Sequence, residues 1–382
     1  MPPRNQAAWI PAAKTKPFQV GDAPYTPPGP GEIVVKNGAV AINPFDWVVQ
    51  AIGPLLAGHI KYPFVLGTDV AGTVAEVGPG VERFRVGDRV FGCAIALLKE
   101  SNGAAEGAFQ LYTILREHMA TLTPADVTDE QACVLGLGFG TAAYGLFHKD
   151  YLGLDLPRVP PPPTASAPGG RPRTVIVTGG ASSVGSSAVQ LAASAGYEVL
   201  STSSPKNFEY VKSLGAAHVF DYNSKTLVQD LLGALEGREL AGAYAVGGGA
   251  AEACAAVMTQ RRDPDVATAK RVALAGIPVA HEAVPSFFGA RVIAGAVGLI
   301  LKLAVQGLVT GVSVKFIQIG DMTQTQGVVQ DIYADFLPRA LAERQFVPAP
   351  PPLVVGKGLD KIEEAMTIQM KGVSAKKVVV SL

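Results

Sequence analysis

The stretch "TVIVTGGASSVGSSAVQLAASAG", residues 174–196, decides the fold. A β-branched run, Thr174 to Val177, meets a turn of small residues. An Ala-rich stretch with helical spacing follows and closes at Gly196. Strand, tight turn and helix in that order make the unit on which dinucleotides are held. Its glycines let the chain turn sharply, and the helix N-terminus offers free N–H groups and a partial positive charge to a pyrophosphate. The G-x-G-x-x-G fingerprint is incomplete here, because it reads Gly180, Ser182, Gly185. Gly179 and Gly180 supply the turn, and Gly185 lets the helix lie close to the sheet. Ser182 costs some backbone clearance, while Ser182, Ser183 and Ser186 return hydroxyl donors and Val184 adds a backbone N–H at the helix start. The competing reading is a tight turn without a ligand.

Working outward, "YEVLSTS" reads as the next strand, "PKNFEYVKSLGA" as the next helix and "AHVFDY" as a third strand. This β-α-β-α-β run over residues 174–222 argues for a parallel, doubly wound sheet. A site that prefers NADH places an acid at the end of the second strand, for the ribose 2′-hydroxyl. Residues 201–207, "STSSPKN", contain no acid. They offer Ser203, Ser204, Lys206 and Asn207 as donors to a 2′-phosphate, and Tyr222 stands ready to cover it. The expected cofactor is therefore NADPH. For Lys206 alone, a solvated lysine at a helix start competes with this reading.

The bulk numbers exclude several classes. A chain of 382 residues is long for one core and suits two domains. Hydrophobic residues make up 48% and charged residues 17%, which rules out a disordered chain. With 32 basic and 32 acidic residues intermixed, there is no electrostatic footprint for nucleic acid or an anionic membrane. Cys93, Cys133 and Cys254 form no C-x-x-C pair and are expected to be inert thiols. His59, His118, His148, His218 and His281 lack metal-ligand spacing. No apolar signal segment opens "MPPRNQAAWIP", so a cytoplasmic setting is expected. The apolar segment 292–312 is broken by Lys302, Gln306 and glycines. Its uninterrupted part falls short of the roughly 20 residues a membrane span needs, so it reads as a buried core or interface helix.

Residues 1–150 read as a β-rich domain, 151–335 as the nucleotide-binding domain and 336–382 as a return to the first. Thr128 and Gln131 make a capping-box start for the first long helical pattern. Between the domains lies "LPRVPPPPTASAPGGRPR", residues 156–173, whose prolines read as an exposed, semi-rigid excursion.

These segments carry a resemblance. "PGPGEIVVKNGAVAINPFDW", "YPFVLGTDVAGTVAEVGPGVERFRVGDRVFG", "GAFQLYTIL", the nucleotide turn, "SSPKNFEYVKSLGAAHVFDY" and the closing "GLDKIEEAM" and "KGVSAKKVVV" follow one family's order. The chain resembles the medium-chain dehydrogenase/reductase superfamily along nearly its whole length. Within it, the chain is most similar to the zinc-free enoyl reductase and quinone oxidoreductase branch, and especially to fungal trans-acting enoyl reductases. The resemblance implies an α/β architecture: a GroES-like β-rich domain, a Rossmann domain, and a cofactor in the cleft between them. Zinc-dependent relatives have a ligand cysteine where this chain has Asn43, and a Gly-His-Glu motif where it has Gly67, Thr68 and Asp69. The resemblance thus implies no metal.

Residue by residue, it implies that Thr141 lies at the nicotinamide and substrate end of the cleft, that Asn43 lines it, and that Tyr62 supplies a proton. For Thr141 a backbone-satisfied helix threonine competes, for Asn43 a turn former, for Tyr62 a packed core aromatic. Asp69 is expected to be structural. Val48 replaces a lysine that polyketide-associated relatives carry in the substrate pocket, and Tyr244 stands where an acid commonly ends the fourth strand. Val246, Gly276 and Ile277 are implied as cofactor contacts. The expected activity is NADPH-dependent hydride transfer to an activated C=C bond in a small-molecule, acyl-carrier-linked or CoA-linked enoyl substrate. An NADPH:quinone oxidoreductase and a non-catalytic NADPH-binding partner protein are the alternatives. Either a monomer or a homodimer is consistent with the family.

Overall fold

The structure is a computed structural model that describes residues 3–55, 57–101, 103–164, 170–261, 270–276, 288–318 and 327–382. The first part of the chain lays down β1 (Asn5–Ile10), β2 (Gln19–Ala23), β3 (Glu32–Ala41), helix α1 (Pro44–Ile52), β4 (Phe64–Val65), β5 (Asp69–Val77), β6 (Arg89–Cys93), β7 (Tyr112–Arg116) and β8 (Ala120–Leu122). β1 pairs antiparallel with β2 and β4, while β3 pairs antiparallel with β5 and β7. The β3–β5 register shifts between Asn37 and Ala39. Opposite that irregularity stands Gly72, where a Cβ would lie 2.1 Å from the Lys36 carbonyl oxygen, so the two backbones approach too closely for any side chain.

Thr128 caps the next helical region as its sequence predicts. Its hydroxyl accepts from the Gln131 N–H, and the Gln131 side chain accepts from the Thr128 N–H. The helix does not run on: α2 (Asp129–Ala132) gives way to a tight turn before α3 (Gly136–Phe147) begins. All residues of α3 are buried, which suits its sequence, apolar on every side.

The chain then alternates β9 (Arg173–Val177), α4 (Ser183–Ser194), β10 (Glu198–Ser203), α5 (Phe208–Ser213), β11 (Ala216–Asp221), α6 (Leu227–Ala234), β12 (Glu239–Val246), α7 (Ala250–Gln260), β13 (Arg271–Ala275), α8 (Phe288–Thr310) and β14 (Ser313–Phe316). The six strands are parallel, in the order β11-β10-β9-β12-β13-β14. Strand order reverses at β9, so the turn after β9 lies at the crevice where such sheets bind ligands. After α9 (Val328–Asp331) and α10 (Leu337–Ala342), the chain forms β15 (Pro352–Lys357), α11 (Ile362–Met370) and β16 (Lys377–Ser381). β16 pairs antiparallel with β3, with Val380 opposite Val40, so the chain end completes the first large sheet.

Helix α8, expected as a buried core or interface helix, is not buried all round. Leu303 is buried against the sheet, but Val297, Leu301, Val305 and Leu308 are exposed. Among the described residues no helix is long and apolar enough to cross a membrane. Residues 165–169 of the proline-rich stretch, and Ile277 and His281, lie outside the described residues.

Candidate active site

The turn after β9 is built by close approaches. Gly179 has φ +61°, and a Cβ there would lie 2.9 Å from the Val246 carbonyl oxygen. A Cβ on Gly180 would lie 2.3 Å from Ser201 Oγ. On Gly185 it would lie 2.1 Å from the Gly179 carbonyl oxygen, because α4 packs directly on the turn. Thr178 Oγ1 accepts from the Val246 N–H at 2.7 Å and donates to the Val246 carbonyl, which ties the turn to the end of β12.

The serines divide their work. Ser182 is the N-cap of α4, in extended backbone that any residue adopts, and its Oγ accepts from the Gly185 N–H at 3.0 Å. Because it accepts there, its hydroxyl hydrogen is free to point at a ligand. Ser186 is fully buried, donates to the Gly180 carbonyl and lies 2.9 Å from Tyr210 Oη, so it braces the turn from inside. Ser183 Oγ is buried and has no hydrogen-bond partner among the described residues. Val184 is half-buried against the central core and keeps a backbone N–H at the helix start. Gly276 directly follows β13, with φ +82°. An unpaired buried hydroxyl, a turn with no room for side chains and an uncovered helix N-terminus together fit a dinucleotide.

At the end of β10, Ser203 Oγ donates to the Ser204 carbonyl. Asn207 Nδ2 donates to Ser204 Oγ and to Ser374 Oγ, each at 3.0 Å. The Asn207 amide hydrogens, counted as donors in the sequence, are thus spent on two serines. Those serines accept and keep their own hydroxyl hydrogens. Lys206 is exposed and Tyr222 is 53% exposed. Asp221 stands opposite Ser203 in register, with its carboxylate accepting from the Asn223 N–H. Ser374 lies 167 residues beyond Asn207, and no local pattern marks it.

On the other side of α3 lies a buried polar ring. Asp69 opens β5 and is wholly buried. Its Oδ2 lies 2.7 Å from Lys377 Nζ, and its Oδ1 accepts from the Leu137 N–H at 2.6 Å and from Thr68 Oγ1 at 3.3 Å. Asn43, the N-cap of α1, donates from Nδ2 to Thr68 Oγ1 at 2.8 Å, and its Oδ1 accepts from Lys377 Nζ at 2.6 Å. Asp69 therefore does two tasks: it pairs with the one ammonium in the ring and caps the N-terminus of α3. Helix α3 carries this ring to the cofactor turn, because Gly138 lies directly against Ser183, where a Cβ would be 2.5 Å from Ser183 Oγ. The ring and the cofactor turn thus lie on two sides of one helix start.

Thr141 sits one turn further along α3. It is 9% exposed, and its Oγ1 donates to the Leu137 carbonyl at 2.7 Å. Tyr244, the residue in place of an acid, is fully buried and donates to the Thr141 carbonyl at 2.9 Å. It packs under Gly145, where a Cβ would lie 2.5 Å from its ring, so it is a strut that locates α3. Tyr62 is half-buried beside Gly53, and burial holds its phenol above the ordinary range. Among the described residues no hydrogen bond joins it to Asn43, Thr68 or Thr141. Val48 is buried on α1.

Asp46, on the first turn of α1, accepts from the Asn43 N–H at 2.7 Å. Burial pushes its carboxyl up to about 7; the Asn43 N–H opposes that shift, the Asp69 charge adds to it, and Lys377 and the Gly67 N–H oppose it. In the unfolded chain this carboxyl titrates near 4. The folded protein therefore holds a proton that the unfolded chain has released, and stability from this group falls as pH rises from about 4 to about 7. Asp46→Asn is expected to remove that fall. Relative to the native protein it gains on the order of 4 kcal/mol between pH 4 and pH 8. Urea unfolding of both proteins at pH 5 and pH 8 checks this, and an equal difference at the two pH values contradicts it.

The donors in this ring do not fit zinc. Asn43 turns its oxygen to an ammonium, Thr68 is a neutral hydroxyl, and burial drives the Cys93 and Cys133 thiols well above their ordinary range. Among the described residues no group of three or more His, Cys, Asp or Glu is placed to hold a metal ion.

Comparison with known proteins places these features. Residues 29–125 match the alcohol dehydrogenase GroES-like domain family. Dehydrogenase pigH of Monascus ruber is 47% identical over 381 residues, spanning 100% of both chains. Trans-enoyl reductase himH of Aspergillus japonicus is 35% identical over 379 residues, spanning 99% of this chain and 97% of that one. Among solved structures, an alcohol dehydrogenase superfamily protein of Novosphingobium aromaticivorans superposes with TM-score 0.70 at 22% identity, over 99% of both chains. CurK enoyl reductase does so with TM-score 0.67 at 19% identity, over 99% of both. At those identities the structural likeness speaks for the fold.

Proposed function

The chain belongs to the medium-chain dehydrogenase/reductase superfamily, in the company of fungal dehydrogenases and trans-enoyl reductases, and from that premise we propose that it is a zinc-independent, NADPH-dependent reductase of activated C=C bonds. Its substrate is an enoyl thioester or enone, of the kind a polyketide-type pathway makes in the cytoplasm. Residues 151–335 form the cofactor-binding unit and residues 1–150 with 336–382 the catalytic one. The observation that carries the reading is the juxtaposition on α3 of a dinucleotide turn with a ring that holds its own ammonium instead of metal ligands.

When bound, the nicotinamide supplies hydride to the β-carbon of the alkene. The residues of the chain do the rest. Gly179, Gly180 and Gly185 admit the pyrophosphate, while Ser182, Ser183 and the N–H group at Val184 donate to it, the Gly185 N–H being held by Ser182 Oγ. Ser204 and Lys206 face the 2′-phosphate; Ser203, counted as a donor in the sequence, is buried and spends its hydroxyl hydrogen on the Ser204 carbonyl, Asn207 aligns Ser204 with Ser374, and Tyr222 covers them. The backbone at Val246 and Gly276 lines the nicotinamide end. Thr141 and Asn43 border the reacting atoms. Negative charge that collects on the substrate carbonyl oxygen needs an oriented N–H donor, and no strong Lewis acid, because the carbonyl itself is not reduced. In this reading Tyr62 supplies the proton for the α-carbon.

Steady-state oxidation of NADPH with a panel of enoyl thioesters, enones and quinones tests the reading. Turnover on an enoyl thioester is expected, with deuterium from C4-labelled NADPH appearing at the β-carbon. Turnover on quinones alone would replace it with an NADPH:quinone oxidoreductase. Tight NADPH binding without turnover on any acceptor would leave a binding protein. Equal affinity for NADH would overturn the reading of residues 201–207.

A further inference from the structure

We infer that Lys377 is a positioning residue, a resident cation that fixes the rotation of the Asn43 amide so that its N–H groups, not its oxygen, are turned toward the substrate. An ammonium has hydrogens to give and no lone pair to accept, so the Asn43 atom 2.6 Å from Lys377 Nζ must be the oxygen. The orientation of an asparagine amide ordinarily follows from whichever partners surround it. Here one buried charge dictates it. Nδ2 then faces Thr68, which accepts one hydrogen at 2.8 Å; Thr68 passes its own hydrogen to Asp69, and Asp69 closes the ring on Lys377. The second Nδ2 hydrogen has no partner among the described residues. Asn43, Thr68, Asp69 and Lys377 are all buried, with exposures of 4%, 5%, 0% and 4%, so water does not compete for these bonds.

The arrangement has a chemical consequence. If Asn43 were reversed, its oxygen would face the developing negative charge on a substrate carbonyl and oppose it. Held as it is, it offers a neutral, pre-oriented donor, which is the group an enolate oxygen requires. Lys377 is the first residue of β16 and Asn43 the cap of α1, so the chain end sets the catalytic geometry of a residue near its beginning. What the donor serves rests on the proposed reduction. The orientation itself rests on the ring.

Two variants and one spectroscopic measurement test this. Asn43→Asp keeps an oxygen for Lys377, removes the N–H groups and puts a carboxyl group in place of the neutral amide. It is expected to fold, to bind NADPH with unchanged Kd, and to lose about 10²-fold in kcat with little change in KM. Asp69→Asn combined with Lys377→Met removes both charges together and frees the amide to rotate. It is expected to show the same loss of kcat, and the Asn43 side-chain amide signal, assigned in 15N-asparagine-labelled protein by its absence from Asn43→Asp, should broaden or split. Lys377→Arg alone, which keeps a donor-only cation, should retain the single amide signal and recover most of kcat. A folded double variant with native kcat and an unchanged amide signal overturns the inference. If the native protein reduces no acceptor, the proposed function fails instead, and the amide signal still decides whether Lys377 orients Asn43.

Discussion

Asp69→Asn is expected to lower the stability of the protein by about 3–5 kcal/mol, the usual cost of leaving one member of a buried ion pair alone. The substitution hardly changes size, and the amide oxygen it introduces still accepts from the Leu137 N–H, so the cap on α3 survives. What is lost is the counter-charge of Lys377, an ammonium 4% exposed whose other partner is a neutral amide. Thermal unfolding should shift down by about 5 °C. Adding Lys377→Met to the same chain is expected to restore most of that loss, because a neutral pair of similar volume no longer has charges to desolvate. Equal instability of the single and double variants would show that shape, not charge, holds this part of the fold.

The second large effect falls on the cofactor turn. Gly185→Ala places a methyl 2.1 Å from the Gly179 carbonyl oxygen, 2.7 Å from the Gly179 carbonyl carbon and 3.0 Å from Gly180 Cα. All three are backbone atoms of the turn, so no side chain can swing aside. Helix α4 must withdraw, taking with it the N–H groups proposed to face a pyrophosphate and the bond from Gly185 to Ser182 Oγ. Affinity for NADPH, measured by quenching of protein fluorescence, should fall by at least about tenfold, a loss of about 1.4 kcal/mol or more. Gly233→Ala in α6 is the control: nothing lies within 4 Å of the added methyl, and the change is expected to leave affinity intact. If both variants bind NADPH like the native protein, the turn after β9 does not hold the cofactor.

Ser182 shows how far the sequence reached at this turn. Its place in the broken fingerprint was visible, as was the chance that its hydroxyl serves a phosphate. That it also caps α4 follows from its position immediately before the helical pattern, a local matter. Ser186, four residues on, has the same chemistry and a similar sequence setting, yet it points inward to Gly180 and Tyr210. The face of α4 that meets the sheet decides between the two, and residue type carries no record of it. Helix α8 makes the same point on a larger scale. Its apolar composition is plain, but whether a given leucine meets the sheet, as Leu303 does, or solvent, as Leu308 does, is set by the packing of the helix.

What the sequence determined by itself was local or periodic: the strand–turn–helix at residues 174–196, the alternation that makes a parallel sheet, the capping box at Thr128, the acid-free end of the second strand, and an order of motifs that marks the superfamily. Short-range sterics, capping and hydrophobic period govern these, and all are written in neighbouring residues. Only the tertiary structure decided the site. Lys377 and Asn43 are separated by 334 positions, Asn207 and Ser374 by 167, and each pair meets because the chain end returns to the first sheet. Sequence leaves a lysine at the start of a strand as a solvated charge by default. Burial against Asp69 and Asn43 makes it the cation of the site, because a charge removed from water must find its partners inside the fold.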